Sequence, residues 1–167
     1  MKIYFCGSIR AGRSDANLYA KIIKQLGVYG KVLTEHVGFL EPWNAPHLSK
    51  YSLGQGDLAK DKEIFRTDME WLHSANIVVA ECTVPSIGVG FELGAAYKLG
   101  LPTLILYRKN PNIVGLSAMV RGVPSKNWEV FEYNDPKELD ERLKDFCLRY
   151  MGPKEKTARE AEFQTSA

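Results

Sequence analysis

The sequence lacks the features that mark several large classes of protein. Its three cysteines, Cys6, Cys82 and Cys147, lie far apart, with no CxxC and no paired histidines, so neither a disulfide framework nor a zinc site is expected. Lys and Arg number 22 against 20 Asp and Glu, and the net charge of +2 is too small to predict a nucleic-acid surface. No apolar run is long enough for a signal peptide or a membrane-spanning helix. We therefore expect a reduced cytoplasmic protein, and entry into the nucleus stays open.

The chain has the length and composition of one globular domain. It contains 167 residues, of which 45% are hydrophobic and 25% charged. A domain of this size buries enough surface to fold without disulfides or structural metals. We predict one domain over 1–151 and a flexible tail over 152–167, where core residues are few.

Short apolar runs alternate with helical patterns along most of this domain. Such alternation predicts βα units, in which a parallel sheet is covered by helices on both faces. We expect an α/β fold with a doubly wound, five-stranded parallel sheet in Rossmann or flavodoxin-like order. The predicted strands are 2–6, 31–35, 76–81, 101–107 and 128–133, and the predicted helices are 16–29, 57–74, 89–99 and 136–150. The segment 37–56 falls outside this scheme and is predicted to be a lid, a binding loop or a flexible insert.

The first candidate ligand segment follows the first predicted strand. Ligands of open parallel sheets bind beyond the carboxyl ends of the strands. Gly7 permits close backbone approach there, Ser8, Arg10 and Arg13 can meet an anion, and Ile9 lies among them. A solvated turn is the equally simple alternative.

The second candidate segment leads into the predicted helix after strand three. Ser86, Gly88 and Gly90 stand where that helix begins, so free amides and the positive end of the helix dipole could hold an anion. The alternative is that Pro85 and Ser86 only start the helix.

Two carboxylates occupy positions beside apolar helical stripes. Glu92 lies three residues after Val89 and four before Ala96, which places it at the border of the buried face. Asp68 has the same relation to Phe65 and Leu72 in the preceding helix. Dipole stabilisation is the structural alternative for Glu92. Paired carboxylates are what cleavage of a glycosidic bond requires, one at the anomeric carbon and one for proton transfer.

Other candidates are less specific when taken residue by residue. Tyr4 lies among apolar residues of the first strand, where core packing is the commoner role. His36 follows the second strand at the expected ligand edge, although a lone histidine is more often structural. The residue types and spacing of segment 117–119 do not by themselves indicate a function.

Five ordered blocks of sequence resemble the nucleoside 2-deoxyribosyltransferase family, in its branch of 2'-deoxynucleoside 5'-phosphate N-hydrolases. They are YFCGSIR from Tyr4, LTEHV from Leu33, DMEWL from Asp68, PSIGVGFELG from Pro85 and LSAMVRG from Leu116. The resemblance extends from about residue 2 to about residue 150.

The resemblance implies a role for each candidate residue. Glu92 would attack C1' and form a covalent intermediate, Asp68 would transfer the proton, and Tyr4 would orient Glu92. The loop from Gly7 to Arg13 would hold substrate, the 5'-phosphate would lie at Ser86 and at the turn of Gly88 and Gly90, and His36 would face the base. Ser117, Ala118 and Met119 would reach the site of a neighbouring subunit, which implies a homodimer. No metal and no organic cofactor is expected.

Two other functions stay open at this point. A deoxyribosyltransferase would use the same carboxylates on unphosphorylated nucleosides. A binding module without activity would use the loops alone, with the carboxylates serving the helix ends.

Overall fold

A computed structural model describes residues 1–10, 13–48, 57–109 and 115–153. Five parallel strands form one sheet in the order β2-β1-β3-β4-β5. This is the flavodoxin-like order, and it confirms the predicted fold class. The strands are β1 (Lys2–Cys6), β2 (Lys31–Val32), β3 (Ile77–Glu81), β4 (Thr103–Arg108) and β5 (Trp128–Tyr133).

Helices cover both faces of the sheet. The helices are α1 (Ala16–Gly27), α2 (Leu58–Ser74), α3 (Ile87–Leu99), α4 (Ala118–Arg121) and α5 (Leu139–Tyr150). One core cluster joins α1 and α5 to the sheet, and a second joins α2 and α3 to the opposite face. None of these helices is both long and apolar enough to cross a bilayer.

Alternation along β1 assigns each side chain to one of these cores. Ile3 and Phe5 belong to the α1/α5 cluster, whereas Tyr4 and Cys6 belong to the α2/α3 cluster. Successive side chains of a strand point to opposite faces. The Tyr4 hydroxyl therefore enters the layer of α2 and α3, which carries both candidate carboxylates.

The second strand is shorter than predicted, because it ends at Val32 rather than residue 35. The Thr34 side chain takes over the pairing with β1: its hydroxyl accepts the Phe5 amide at 2.9 Å and donates to the Phe5 carbonyl at 2.6 Å. These bonds satisfy the backbone of β1, and the chain is free to turn into a one-turn 3-10 helix at Glu35–Gly38.

The segment predicted as one long loop contains regular turns in its described part. Short 3-10 helices follow at Pro42–Asn44 and Pro46–Leu48, whereas 49–56 lie outside the described residues, as do 154–167 of the predicted tail. Helix α3 begins two residues earlier than predicted, at Ile87, because the Ser86 side chain caps it. Helix α4 was not predicted.

Candidate active site

A short hydrogen bond joins the first strand to helix α3. The Tyr4 hydroxyl donates to Oε1 of Glu92 at 2.6 Å. Tyr4 is almost fully buried, and α3 turns Val89, Leu93 and Ala96 into the same core. Glu92 therefore stands at the border of the apolar stripe, as its spacing predicts, with its carboxylate held by a rigid strand.

Asp68 enters the same layer from α2. Its Oδ1 is buried and has no hydrogen-bond partner. The inner face of α2 differs from the prediction in one respect: Leu72 is fully buried, whereas Phe65 is 57% exposed and meets Phe91 of α3 edge to face, with 5.9 Å between ring centroids. The aromatic pair bridges the helices on their outer side. A buried carboxylate oxygen without a donor is unfavourable, which disfavours the ionised form of Asp68.

Both carboxyl groups are harder to ionise than usual. Burial raises the pKa of Asp68 to about 7. Burial and the nearby Asp68 charge raise the pKa of Glu92 to about 7, against the opposing effect of the Tyr4 hydrogen bond. At neutral pH one member of the pair can thus be ionised while the other keeps its proton, which is the state that acid-assisted nucleophilic attack requires.

A second donor to Glu92 was not found from the sequence. The buried Cys6 thiol hydrogen-bonds the Glu92 carboxylate and, like Tyr4, opposes the rise in its pKa. Burial raises the pKa of Cys6 itself well above its usual range, so it stays a thiol. The signal was the spacing: Tyr4 and Cys6 are two residues apart on one strand and share a face.

The loop after β1 contains a second buried polar atom without a partner. Ser8 is fully buried, its hydroxyl has no hydrogen-bond partner, and its amide donates to the Tyr19 hydroxyl at 3.2 Å. A Cβ on Gly7 would approach the Tyr19 ring to 3.0 Å, so only glycine lets the loop pack this closely.

The guanidinium groups of this loop have partners within the protein. Arg10 pairs with Asp61 at 2.8 Å on the surface. Arg13 donates to the carbonyls of Ser8 at 3.0 Å and Val37 at 2.8 Å, and also to that of Phe39. Arg13 thereby ties the loop to the segment after β2. Ile9 is partly buried against the α1/α5 core. Contact of Ile9, Arg10 and Arg13 with substrate remains a prediction.

His36 lies in a cluster of three rings. Its ring is 5.1 Å from that of His47 and 5.7 Å from that of Trp71, and the latter two are 5.1 Å apart. Burial, together with His47 and Arg13, lowers the pKa of His36 to about 4, so the imidazole is neutral at pH 7. Trp71 lies one helical turn after Asp68, which places the cluster on the Asp68 side of the layer.

The start of α3 has an open face. The Ser86 hydroxyl accepts the Val89 amide at 3.5 Å. A Cβ at Gly90 would have no neighbour within 4 Å, and one at Gly88 would touch only the Ser86 hydroxyl, at 3.8 Å. Ser86 precedes Glu92 by six residues, a rise of about 9 Å along the helix.

Ser86 and Ser117 line one cavity of about 840 Å³. The cavity lies between α3 and the segment that contains α4, and Gly90, Ala118 and Met119 also contribute to its wall. Tyr4, Asp68 and Glu92 do not line it. Within one chain, the structure therefore forms two groups: the carboxylate pair with its hydroxyl donor, and the two serines on the other flank of α3.

No group of three or more His, Cys, Asp or Glu side chains among the described residues could hold a metal ion. Tyr4 and Cys6 hydrogen-bond the Glu92 carboxylate, and neither is a ready metal ligand in its protonated state.

The five-stranded parallel sheet with helices on both faces defines an α/β protein of flavodoxin-like fold, and solved structures share this fold. A CMP N-glycosidase of Clostridium botulinum has a TM-score of 0.54 and 16% identity over 86% of this chain and 99% of its own. A conserved protein of Enterococcus faecalis has a TM-score of 0.60 and 22% identity over 87% of this chain and 98% of its own. At these identities the likeness shows the fold alone.

The chain belongs to the nucleoside 2-deoxyribosyltransferase family, whose sequence model matches residues 3–157. The 5-hydroxymethyl-dUMP N-hydrolase of Rattus norvegicus is 44% identical over 155 residues, which are 91% of this chain and 88% of the relative. The human protein of the same name is 42% identical over 134 residues, 80% and 72% of the two chains.

Proposed function

We propose that this protein hydrolyses the N-glycosidic bond of 2'-deoxynucleoside 5'-monophosphates, releasing the free base and 2-deoxyribose 5-phosphate. The observation that supports it most is the buried Asp68 carboxyl group, whose Oδ1 has no hydrogen-bond partner, close to a Glu92 whose Oε1 accepts the Tyr4 hydroxyl at 2.6 Å. The rat and human relatives bear names of enzymes that act on one such nucleotide.

In the first step, Glu92 attacks C1' as a carboxylate. The C1'–N bond breaks and its electron pair leaves with the base, which takes the proton of the Asp68 carboxyl group. Positive charge develops on the sugar, and the buried Glu92 carboxylate stabilises it before the new C–O bond forms. The missing 2'-hydroxyl withdraws no electrons, so this cationic sugar is easier to reach.

In the second step, water attacks C1' of the glycosyl–Glu92 ester. Asp68, now ionised, accepts the proton of the water, and Glu92 leaves as a carboxylate. Both side chains return to their starting states. Tyr4 keeps the leaving oxygen aligned, since its hydroxyl donates to the Glu92 carboxylate.

Substrate binding divides between the two groups of residues. The 5'-phosphate binds at Ser86 and the open turn of Gly88 and Gly90, at the positive end of the α3 dipole, where a Cβ would meet little or nothing. The fully buried hydroxyl of Ser8 supplies a further hydrogen bond. The neutral His36 ring faces the base.

Product analysis tests this function against its nearest alternative. The protein is incubated with dGMP or deoxyguanosine, each with and without adenine, and the products are separated. We expect guanine and deoxyribose 5-phosphate from dGMP without any acceptor. Product that forms only with acceptor base indicates a transferase, and binding of dGMP without any cleavage indicates a binding module.

A homodimer completes this proposal. The outer face of α2 and α3 exposes Phe65 and Phe91, and Met119 is 85% exposed at the start of α4. A second copy would cover these apolar side chains and bring its own Ser117 towards the site. Light scattering should give twice the monomer mass for the parent and a smaller mass for Phe91→Ser, whereas a monomeric parent contradicts the shared site.

A further inference from the structure

Glu81 is a buried carboxylate that the proposed chemistry does not use. It is the last residue of β3 and has no exposed surface. Alternation along the strand turns it towards the α1/α5 layer, with Ile77 and Val79, and away from Glu92. A carboxylate this deep is unfavourable unless hydrogen bonds compensate it.

Three donors converge on the Glu81 carboxylate. The Tyr133 hydroxyl donates to Oε1 at 2.9 Å, the Thr83 hydroxyl donates to the same oxygen, and the Thr83 amide donates to Oε2 at 3.3 Å. Burial raises the pKa of Glu81, and the hydrogen bonds from Thr83 and Tyr133 oppose that rise. Two of the three bonds are donated by a single residue, Thr83.

Thr83 is held from a second strand as well. Its hydroxyl oxygen accepts the Arg108 amide at 2.8 Å. The Arg108 side chain is itself fixed, since it donates to both oxygens of Asp15 at 2.9 and 2.8 Å. Thr83 is therefore anchored to the ends of β3 and β4 at once.

The anchored residue lies just before the proposed phosphate site. Only Val84 and Pro85 separate Thr83 from Ser86, and proline restricts the backbone between them. Thr83 and Ser86 line the same cavity. Fixing Thr83 thereby fixes the direction in which α3 begins and its first amides point.

We propose that Glu81 is a positioning residue that acts through Thr83: its buried carboxylate holds the segment 83–86 so that the start of α3 meets the 5'-phosphate. This inference rests on the proposed function, because the phosphate is the ligand whose binding it explains. Glu81 touches neither the sugar nor the base in this account.

Variants of Glu81 and Thr83 that keep the shape of the side chain test the inference. Thr83→Val removes the hydroxyl and keeps the shape, Thr83→Ser keeps the hydroxyl, and Glu81→Gln removes the charge. For Thr83→Val and Glu81→Gln we expect KM for dGMP to rise about tenfold with kcat nearly unchanged, because the phosphate contacts lose alignment. Thr83→Ser should restore the parent KM.

A second readout separates this inference from the proposed function. The Kd of dGMP, measured by calorimetry on the Glu92→Gln background, should rise by the same factor whether or not the parent is a hydrolase. An unchanged Kd and KM in folded Thr83→Val and Glu81→Gln would overturn the inference, and so would a loss of activity that follows thermal stability alone. If Thr83→Val does not fold, the KM and Kd of Glu81→Gln test the inference in the same way.

Discussion

Replacing Tyr4 with phenylalanine removes a single oxygen atom from the core. The ring stays, so the packing against α2 and α3 is retained. What is lost is the donor that contacts Oε1 of Glu92 at 2.6 Å. The Cys6 thiol remains as the other donor to that carboxylate, and it is the weaker one.

The size of the effect follows from the charge on the acceptor. A hydrogen bond to a charged group contributes about 1.5–3 kcal/mol, which corresponds to roughly 1–2 pKa units. The pKa of Glu92, already raised to about 7, should therefore rise further in Tyr4→Phe. Because Asp68 also titrates near 7, the two limbs of the pH profile belong to the pair. The midpoint of the bell should move up by half the shift, about 0.5–1 unit.

The assay is the dependence of kcat/KM for dGMP on pH. We expect a bell centred near pH 7 for the parent, and a lower bell with a more alkaline midpoint for Tyr4→Phe. Tyr150→Phe is the matched control, since Tyr150 packs on the opposite face of the sheet and should leave the profile unmoved. A lower bell with an unmoved midpoint would refute the role of Tyr4 in setting the Glu92 pKa.

Three further outcomes follow from the same site. Asp68→Asn should abolish the alkaline limb of the kcat/KM profile and lower the rate most for bases that leave poorly, and an intact alkaline limb contradicts proton transfer by Asp68. The raised pKa of Glu92 means that its burial destabilises the fold as pH rises from about 4.5 to about 7. At pH 8, Glu92→Gln should therefore have a higher unfolding temperature than the parent, and its free energy of unfolding should be higher by up to about 3 kcal/mol. At pH 4.5 the two proteins should differ little in stability. Ser86→Ala should raise KM for dGMP several-fold, about 1 kcal/mol, with kcat retained, and an unchanged KM would place the phosphate elsewhere.

The strand order and the two carboxylates could be predicted from local pattern. Apolar runs with period two and stripes with period 3.6 report burial directly, and α3 buries Val89, Leu93 and Ala96 as its spacing predicts. Glu92 at the edge of that stripe could be found by the same rule. The predicted inner face of α2 was wrong at Phe65, because this ring contacts Phe91 of α3 on the exposed side instead of packing in the core.

The remaining features depend on contacts between distant parts of the chain. Strand β2 ends early because the Thr34 hydroxyl hydrogen-bonds the Phe5 backbone in β1. No local sequence pattern predicts this side-chain-to-backbone contact. The hydrogen bonds around Glu81 join residues of three strands, and Tyr133 lies 52 positions from Glu81 in the sequence. The hydrogen bond from Cys6 to Glu92 is also a long-range contact, although the spacing of two from Tyr4 already placed Cys6 on the same face of β1.

The rate of N-glycosidic cleavage of dGMP by Glu92→Gln tests the central claim most directly. We expect a fall of at least about a thousandfold in kcat in a protein that keeps its fold and still binds dGMP. The control is Glu70→Gln, which removes an exposed carboxylate of α2 paired with Arg66 and should change the rate less than about twofold. A Glu92→Gln variant that cleaves dGMP as fast as Glu70→Gln would contradict the assignment of Glu92 as the nucleophile.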